Sequence, residues 1–347
     1  MTGKWNYLPL TPQEQKIETA LARRYASCPP VSELLVQRGV TSVEDAERFF
    51  NPRLKYLHDP FLMPDMQKAV DRLNRAMGAK EKIMVYGDYD VDGTTAVALV
   101  YKYLSNFYSN IDYFIPTRYE EGYGISSDII DDFAGQGVKL VIILDCGIKA
   151  NEEIAHAREH GIDFIICDHH VPDQELPEAV AILNPKMPGS TYPCPHLSGC
   201  GVGYKLMQAF AISNGIQQNE LEGMLDLVAV SIAADIVPMV DENRIMAFYG
   251  LRRLNTNPNM GLRAIIRFSN QSNREITISD VIFKIGPRIN ASGRMQSGKE
   301  AVDLLVSRDV ADAYERAKAI DQYNKDRKEL DKRITEEAID IISSRHE

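Results

Sequence analysis

Three acidic side chains crowd into one short segment in the first third of the chain. The run DYDVDG follows the apolar segment IMVYG and supplies Asp88, Asp90 and Asp92. Carboxylates this close repel one another unless cations neutralise them, so the spacing predicts a site for a hard divalent metal ion. An EF-hand loop begins similarly, but Leu99 stands where that loop needs a bidentate glutamate. A phosphate-binding P-loop is disfavoured because Thr94, not lysine, follows the glycine. A solvated acidic turn would explain one of these aspartates better than all three.

Acidic and imidazole groups also follow the next predicted elements. They are Asp145 after the apolar run 140–144, Asp168, His169 and His170 after 164–167, and Asp235 after the apolar helix predicted over 221–234. The carboxyl ends of parallel strands meet at one edge of a sheet, so these groups should converge there. A single aspartate would more often be a helix cap, and a single histidine pair a hydrogen-bonded loop. Mixed Asp and His ligands suit Mn²⁺ or Mg²⁺, and two ions sharing a carboxylate are typical of phosphoester hydrolysis.

The elements that must position these groups follow an alternating pattern. Strands are predicted over 83–87, 111–115, 140–144 and 164–167, with helices over 67–77, 94–107, 127–133 and 150–160. Near-continuous apolar strands alternating with helices predict an α/β fold with a doubly wound, mostly parallel sheet. We expect three regions: a helical and irregular N-terminal cap over 1–75, a catalytic domain over 76–300, and a long charged helix over 301–347 that leads to a further domain.

A basic segment interrupts an otherwise acidic chain. Residues 244–299 contain ten Lys or Arg and two acids, a balance of +8, although the whole chain carries −10. Within it, GPRINASGRM is predicted to be a glycine-bounded loop whose side chains form a phosphate clamp: Arg288, Asn290, Ser292 and Arg294. A basic face that is merely solvated is the alternative. The glycine-rich run LSGCGVGYKL opens a predicted helix, where tight packing is favoured over phosphate binding by its amides.

The amino-acid composition excludes few classes of protein other than membrane proteins and disulfide-rich proteins. No apolar run reaches the roughly 18 residues that a membrane span needs, and MTGKWNYLPLTPQEQK lacks a secretion signal, so a cytoplasmic location is expected. Five cysteines at irregular spacing do not predict a disulfide framework. The net charge of −10 taken alone argues against a nucleic-acid partner. The distribution of charge, with a +8 segment beside a metal site, argues for one.

The ordered set DYDVDG, LDCG, DHH, AADIVP and GPRINASGRM resembles the DHH phosphoesterase superfamily. Within it the chain is most similar to the RecJ family of exonucleases. The resemblance implies two Mn²⁺ or Mg²⁺ ions bound by Asp90, Asp92, Asp145, His169 and Asp235, with Asp145 as the bridge. It makes Asp88 a ligand or a neighbour of the ligands, and Asp168 a residue that orients the histidines. It implies that His170 contacts the scissile phosphate. It also implies that Arg288, Asn290 and Arg294 bind DNA phosphates.

The resemblance also implies an activity: two-metal, in-line hydrolysis of single-stranded DNA from the 5′ end, in DNA repair and recombination. It suggests single-strand binding protein as a partner, and we expect a monomer. The family continues into DHHA1 and OB-fold domains, whose motifs are absent from this sequence. One alternative is a DHH phosphodiesterase or pyrophosphatase for short oligonucleotides or small nucleotides. The other, a non-catalytic DNA-binding scaffold, is disfavoured because all the expected ligand positions are filled.

Overall fold

The computed structural model describes residues 7–25, 29–118, 122, 124–269 and 274–344, and its contacts divide the chain into two units, Met1–Leu57 and His58–Glu347. The first unit contains helices α1 (Pro12–Tyr25), α2 (Pro29–Gln37) and α3 (Val43–Phe50). They pack around a small apolar core that includes Leu21, Leu35 and Ala46. Ser42 caps α3 by accepting a hydrogen bond from the Asp45 amide.

The second unit is built on a five-stranded parallel sheet. Its strands are β1 (Lys82–Gly87), β2 (Ile111–Phe114), β3 (Val138–Leu144), β4 (Asp163–Cys167) and β5 (Ala181–Leu183), in the order β2-β1-β3-β4-β5. The predicted α/β class and parallel sheet are confirmed. The sequence did not reveal β5, because three residues are too short to stand out as a periodic pattern. The strand order reverses at β1 and β3, so a crevice is expected beyond their carboxyl ends.

Helices cover both faces of this sheet. They are α4 (Met66–Gly78), α5 (Val91–Leu104), α6 (Ser127–Gly135), α7 (Asn151–Glu159) and α8 (Gly199–Ser213). Helices α6 and α7 pack on the face that carries Met84, Tyr86 and Ile143. Helices α5 and α8 contact each other, and Gly203 of α8 lies against Leu144 of the opposite face. Because the sheet is covered on both sides, β1, β3 and β4 contain runs of consecutive buried apolar residues.

The rest of the second unit is helical. It comprises α9 (Asn219–Glu222), α10 (Leu225–Ala234), α11 (Asp241–Thr256), α12 (Met260–Phe268), α13 (Ile278–Asp280), a π-helical turn (Val281–Ile285), α14 (Gly286–Met295), α15 (Gly298–Val306) and α16 (Val310–Ser344). The prediction of a loop for GPRINASGRM is wrong, since this run is α14. Its proline occupies the first helical turn, where its missing amide hydrogen costs nothing.

The predicted C-terminal helix is interrupted once. Helix α15 ends at Val306, and α16 begins at Val310. Between them the Ser307 hydroxyl accepts from the Asp309 amide and donates to the Asp312 carboxylate. Such local side-chain bonds compete with the helical pattern. Residues 328–344 of α16 are all exposed.

The described residues bear on two expectations from the sequence: that the chain has no membrane span and that its cysteines form no disulfide framework. No helix among them is both long enough and apolar enough to cross a membrane. Four cysteines are buried free thiols, namely Cys146, Cys167, Cys194 and Cys200. Cys28 lies outside the described residues.

Candidate metal centre

The first acidic segment runs from the end of β1 into the first turn of α5. Asp90 is the N-cap of α5, and its Oδ1 accepts from the Gly93 amide at 3.0 Å. A Cβ on Gly93 would lie 2.3 Å from the Asp88 carbonyl oxygen, so only glycine allows this tight turn. Asp88 is buried, and its Oδ1 has no hydrogen-bond partner. The turn thus holds two carboxylates at the carboxyl end of the sheet.

Asp92, in the first turn of α5, is held in place by the start of another helix. Its Oδ2 accepts from the Gly199 amide, and its Oδ1 accepts from the Cys200 amide, both at 2.7 Å. The Ser231 hydroxyl donates a further hydrogen bond to Oδ1, also at 2.7 Å. Free amides at a helix N-terminus attract an anion, and here the anion is a side chain of the protein. The glycine-rich run therefore orients a carboxylate.

Asp145 occupies the centre of the cluster. It directly follows β3 and adopts a left-handed backbone conformation with φ of 59°, which directs the chain away from the strand. Its Oδ1 lies 3.1 Å from His169 Nε2. The same imidazole nitrogen lies 3.7 Å from Oδ2 of Asp92 and 3.7 Å from Oδ2 of Asp235. Asp145 and His169 are both buried, while the Asp235 side chain is 31% exposed.

These side chains form overlapping groups whose potential ligand atoms lie within 4.8 Å of one another. The groups are Asp88, Asp90 and Asp145; Asp92, His169 and Asp235; and Asp145, His169 and His170. Asp145 belongs to two groups and touches the histidine of the third. With two carboxylate oxygens and this central position, Asp145 could contact two ions, which is the bridging role that the family resemblance implies. The structure brings the six predicted metal ligands together.

The electrostatics of the cluster suit cations. Burial, with added repulsion from neighbouring carboxylates, raises the pKa of Asp88 and of Asp235 to about 7. Burial and the same repulsion raise the pKa of Asp145 well above its ordinary value. Burial lowers the pKa of His169, which favours the neutral imidazole that can bind a metal. A buried, unpaired Asp88 oxygen among ionisable acids is the arrangement that bound divalent ions would satisfy.

A second pair, Asp168 and His170, stands beside this cluster. Asp168 Oδ1 accepts from both the His169 and the His170 amides, and from His170 Nδ1 at 2.7 Å. Its Oδ2 accepts from the Ile148 amide at 3.0 Å. Burial acts to raise the pKa of Asp168, but the hydrogen bonds more than offset it and the pKa is lowered. The hydrogen bond to Asp168 raises the pKa of His170, whose side chain is 47% exposed.

Four residues of α14 were predicted to bind phosphate, and only some of them lie close to the acidic segment. Asn290 Oδ1 accepts from the Val91 amide at 3.1 Å, which ties α14 to the start of α5. Arg288 pairs with Asp321 at 2.9 Å and is mostly buried, and Ser292 is fully buried and donates to the Ile289 carbonyl. Arg294 is exposed, in the turn that packs against the acidic segment.

Sequence reasoning missed several residues of this centre. Ser231 gave no signal, because a lone serine in an apolar helix is ordinary. The amides of Gly199 and Cys200 were marked only by the glycine-rich run. Arg118 was also overlooked; its guanidinium lies 5.8 Å from the centre of the Tyr89 ring, and its charge acts on Asp88. Only the fold places these groups beside the strand ends.

Comparison with known proteins agrees with this geometry. Residues 82–232 match the profile of the DHH family, N-terminal domain, which spans β1 to α10. Over these residues the chain is similar to the DHH family. The predicted superfamily is thereby confirmed, and the matched residues contain all the candidate metal ligands except Asp235.

Curated relatives extend the similarity beyond the DHH domain. The single-stranded-DNA-specific exonuclease RecJ of Bacillus subtilis is 40% identical over 331 residues, 95% of this chain and 41% of that protein. RecJ of Escherichia coli is 34% identical over 328 residues, 91% of this chain and 56% of that protein. The chain thus spans about half the length of these relatives. The predicted likeness to RecJ is confirmed.

Solved structures of RecJ share the fold. RecJ from Thermus thermophilus in complex with Mn²⁺ has a TM-score of 0.79 at 26% identity, covering 95% of this chain and 46% of that one. An exonuclease RecJ bound to manganese has a TM-score of 0.74 at 28% identity, covering 82% of this chain and 71% of that one.

Proposed function

We propose that this chain forms the catalytic part of a metal-dependent exonuclease that hydrolyses single-stranded DNA from its 5′ end. The observation that carries the proposal is the convergence of Asp88, Asp90, Asp92, Asp145, His169 and Asp235 at the sheet edge where the strand order reverses. The RecJ relatives, named as single-stranded-DNA-specific exonucleases, support the substrate class. We also propose that the protein acts in DNA repair and recombination, that it is located in the cytoplasm and that it is a monomer.

The cofactors in this proposal are two divalent cations, Mn²⁺ or Mg²⁺. Their ligands are the six side chains of the cluster, with Asp145 shared. When bound, such ions lower the pKa of water and offset negative charge on phosphoryl oxygens. Hard oxygen ligands and one imidazole suit these ions better than a thiolate-preferring metal. The Mn²⁺-bound RecJ structures are consistent with this choice.

The protein's own contribution is positioning and charge. The amides of α8 and the Ser231 hydroxyl hold Asp92 in one orientation before any substrate arrives. Asp168 accepts from His170 Nδ1, which favours the imidazolium form of His170. An imidazolium beside the cluster stabilises the charge that develops on a phosphate oxygen during attack.

Two exposed arginines extend the site toward a phosphate backbone. Arg294 at the end of α14 and Arg118 beside Tyr89 flank the acidic segment. We infer that they bind DNA phosphates, and that Asn290 acts on DNA indirectly by holding the start of α5. Arg288 and Ser292, predicted as phosphate ligands, have structural partners within α14 and its neighbours. Single-strand binding protein as a partner and the domain boundaries at 75 and 300 stay predictions.

The decisive experiment compares the ends of single-stranded DNA. Oligonucleotides labelled at the 5′ or the 3′ end are incubated with Mn²⁺, Mg²⁺ or a chelator. We expect early release of the 5′ label with either metal and none with the chelator. Earlier release of the 3′ label would refute the polarity. A preference for substrates of two to five nucleotides would instead favour the short-oligonucleotide phosphodiesterase.

The control is Asp145→Asn, since asparagine tolerates the left-handed backbone and keeps the side-chain shape. It should reduce hydrolysis by at least about 100-fold, because the shared carboxylate is lost, while the circular dichroism spectrum stays unchanged. Substantial cleavage by this variant would contradict the assignment of the centre.

A further inference from the structure

A second group of metal-binding side chains lies away from the carboxylate cluster, on the two helices that cover one face of the sheet. Asp131 belongs to α6, His156 belongs to α7, and His160 is the C-cap residue directly after α7. Their potential ligand atoms lie within 4.8 Å of one another. The proposed hydrolysis does not use these residues.

Both imidazoles approach the same carboxylate oxygen. His156 Nε2 lies 2.7 Å and His160 Nε2 lies 3.3 Å from Asp131 Oδ1. The two rings are 4.7 Å apart between centroids and inclined by 71°. Residues four apart share one helix face, so α7 presents both nitrogens on the side that faces α6. One histidine would suffice for an ion pair, whereas two converging on one oxygen resemble a ligand set.

The two separations between nitrogen and oxygen are close to those around a tetrahedral ion. Ligand atoms around such an ion lie roughly 3.4 Å apart when each bond is about 2.1 Å long. The distance from His160 Nε2 to Asp131 Oδ1 already matches this spacing. The distance from His156 Nε2 to Asp131 Oδ1 must increase by under about 1 Å. The three side chains are partly exposed, so a cation can reach them from solvent. Three protein ligands leave a fourth position for water.

We propose that Asp131, His156 and His160 form a second metal site that binds Zn²⁺ or another cation from the late first transition series. Two imidazoles and one carboxylate favour these cations over the hard Mg²⁺, and Zn²⁺ binds nitrogen ligands more tightly than Mn²⁺. A bound ion ties α6 to α7.

Equilibrium dialysis against Zn²⁺, followed by elemental analysis, tests this site through bound metal alone. The variants are His156→Gln/His160→Gln and, as a matched control, His58→Gln. His58 also pairs with one aspartate, Asp241, at 2.9 Å, but no second imidazole completes that pair within the described residues. We expect the double variant to bind one Zn²⁺ per chain fewer than the wild type, and the control to bind the same number. Equal numbers in all three proteins would show an ion pair only and overturn the proposal.

A second variant guards against a folding artefact. Asp131→Asn keeps both imidazoles and the shape of the acid, and it should weaken Zn²⁺ binding at this site by at least about tenfold. With Cu²⁺, the part of the electron paramagnetic resonance signal that the double variant loses should show coupling to two imidazole nitrogens. Identical signals from the wild type and the double variant would also refute the site. Mn²⁺-dependent hydrolysis should be unchanged in the double variant, so this test is independent of the proposed nuclease activity.

Discussion

Replacing Gly199 by alanine should damage the metal centre without unfolding the protein. Gly199 is the first residue of α8, and its amide donates to Asp92. A Cβ at this position would lie 2.6 Å from Asp145 Cβ, 2.8 Å from its Oδ1 and 2.9 Å from its Cα. Ordinary contact begins at 3.4 Å. Helix α8 and Asp145 must therefore move apart by about 0.8 Å, because the clash involves the backbone as well as the side chain.

That displacement affects two carboxylates at once. Asp145 is the shared residue of the cluster, and Asp92 depends on the α8 amides for its orientation. A misplacement of about 1 Å in a catalytic group can cost roughly 100-fold in rate, so we expect Gly199→Ala to lower hydrolysis by about 30- to 100-fold. Overpacking should destabilise the fold by about 1–3 kcal/mol. Mn²⁺ affinity should fall in parallel, because both carboxylates are candidate ligands.

The matched control is Gly201→Ala on the same helix. Its Cβ would meet Ser198 Oγ at 3.3 Å and Leu197 side-chain atoms at 3.5 and 3.6 Å, which are close to ordinary contacts. It should retain activity within about threefold of the wild type, since no atom of the cluster has to move. The assays are release of labelled nucleotide with Mn²⁺, titration of Mn²⁺ by electron paramagnetic resonance, and urea unfolding. A folded Gly199→Ala protein with wild-type Mn²⁺ affinity would refute the reasoning.

Two further predictions concern stability. Asp88 has a pKa of about 7 in the folded metal-free protein and about 3.8 when unfolded, so its contribution is present below about pH 4 and lost as pH rises through about 7. Between about pH 5 and 8 the metal-free wild type should therefore lose about 2–3 kcal/mol more stability than Asp88→Asn, and Mn²⁺ should reverse that loss; parallel melting curves would contradict this. Lys205 and Glu242 form a fully buried ion pair at 3.0 Å, and Lys205→Met should cost about 3–5 kcal/mol in urea unfolding by leaving the carboxylate uncompensated. A loss below about 1 kcal/mol would show that the remaining donors to Glu242, the Tyr192 hydroxyl and the His58 amide, compensate for the lost ammonium.

The sequence alone predicted the candidate metal ligands because their signals are local. An acid directly after an apolar strand is visible in the chain, and parallel strands must deliver their carboxyl ends to one edge. The alternation of apolar runs and helical segments likewise predicted the parallel sheet that the structure shows. The loop predicted for GPRINASGRM failed because glycine and asparagine lower helix propensity, whereas packing of α14 against α16 and α15 overrides it.

What the tertiary structure decided is how those ligands are held. The anchoring of Asp92 by amides more than one hundred residues away, and by Ser231, depends on where α8 and α10 meet α5. The requirement for glycine at 199 arises from the approach of α8 to Asp145. The convergence of Asp131 with two histidines depends in the same way on the packing of α6 against α7. Residue types and spacing determine which chemistry is available, but contacts distant in sequence fix its geometry, because the hydrogen bonds and close approaches form only when the helices pack.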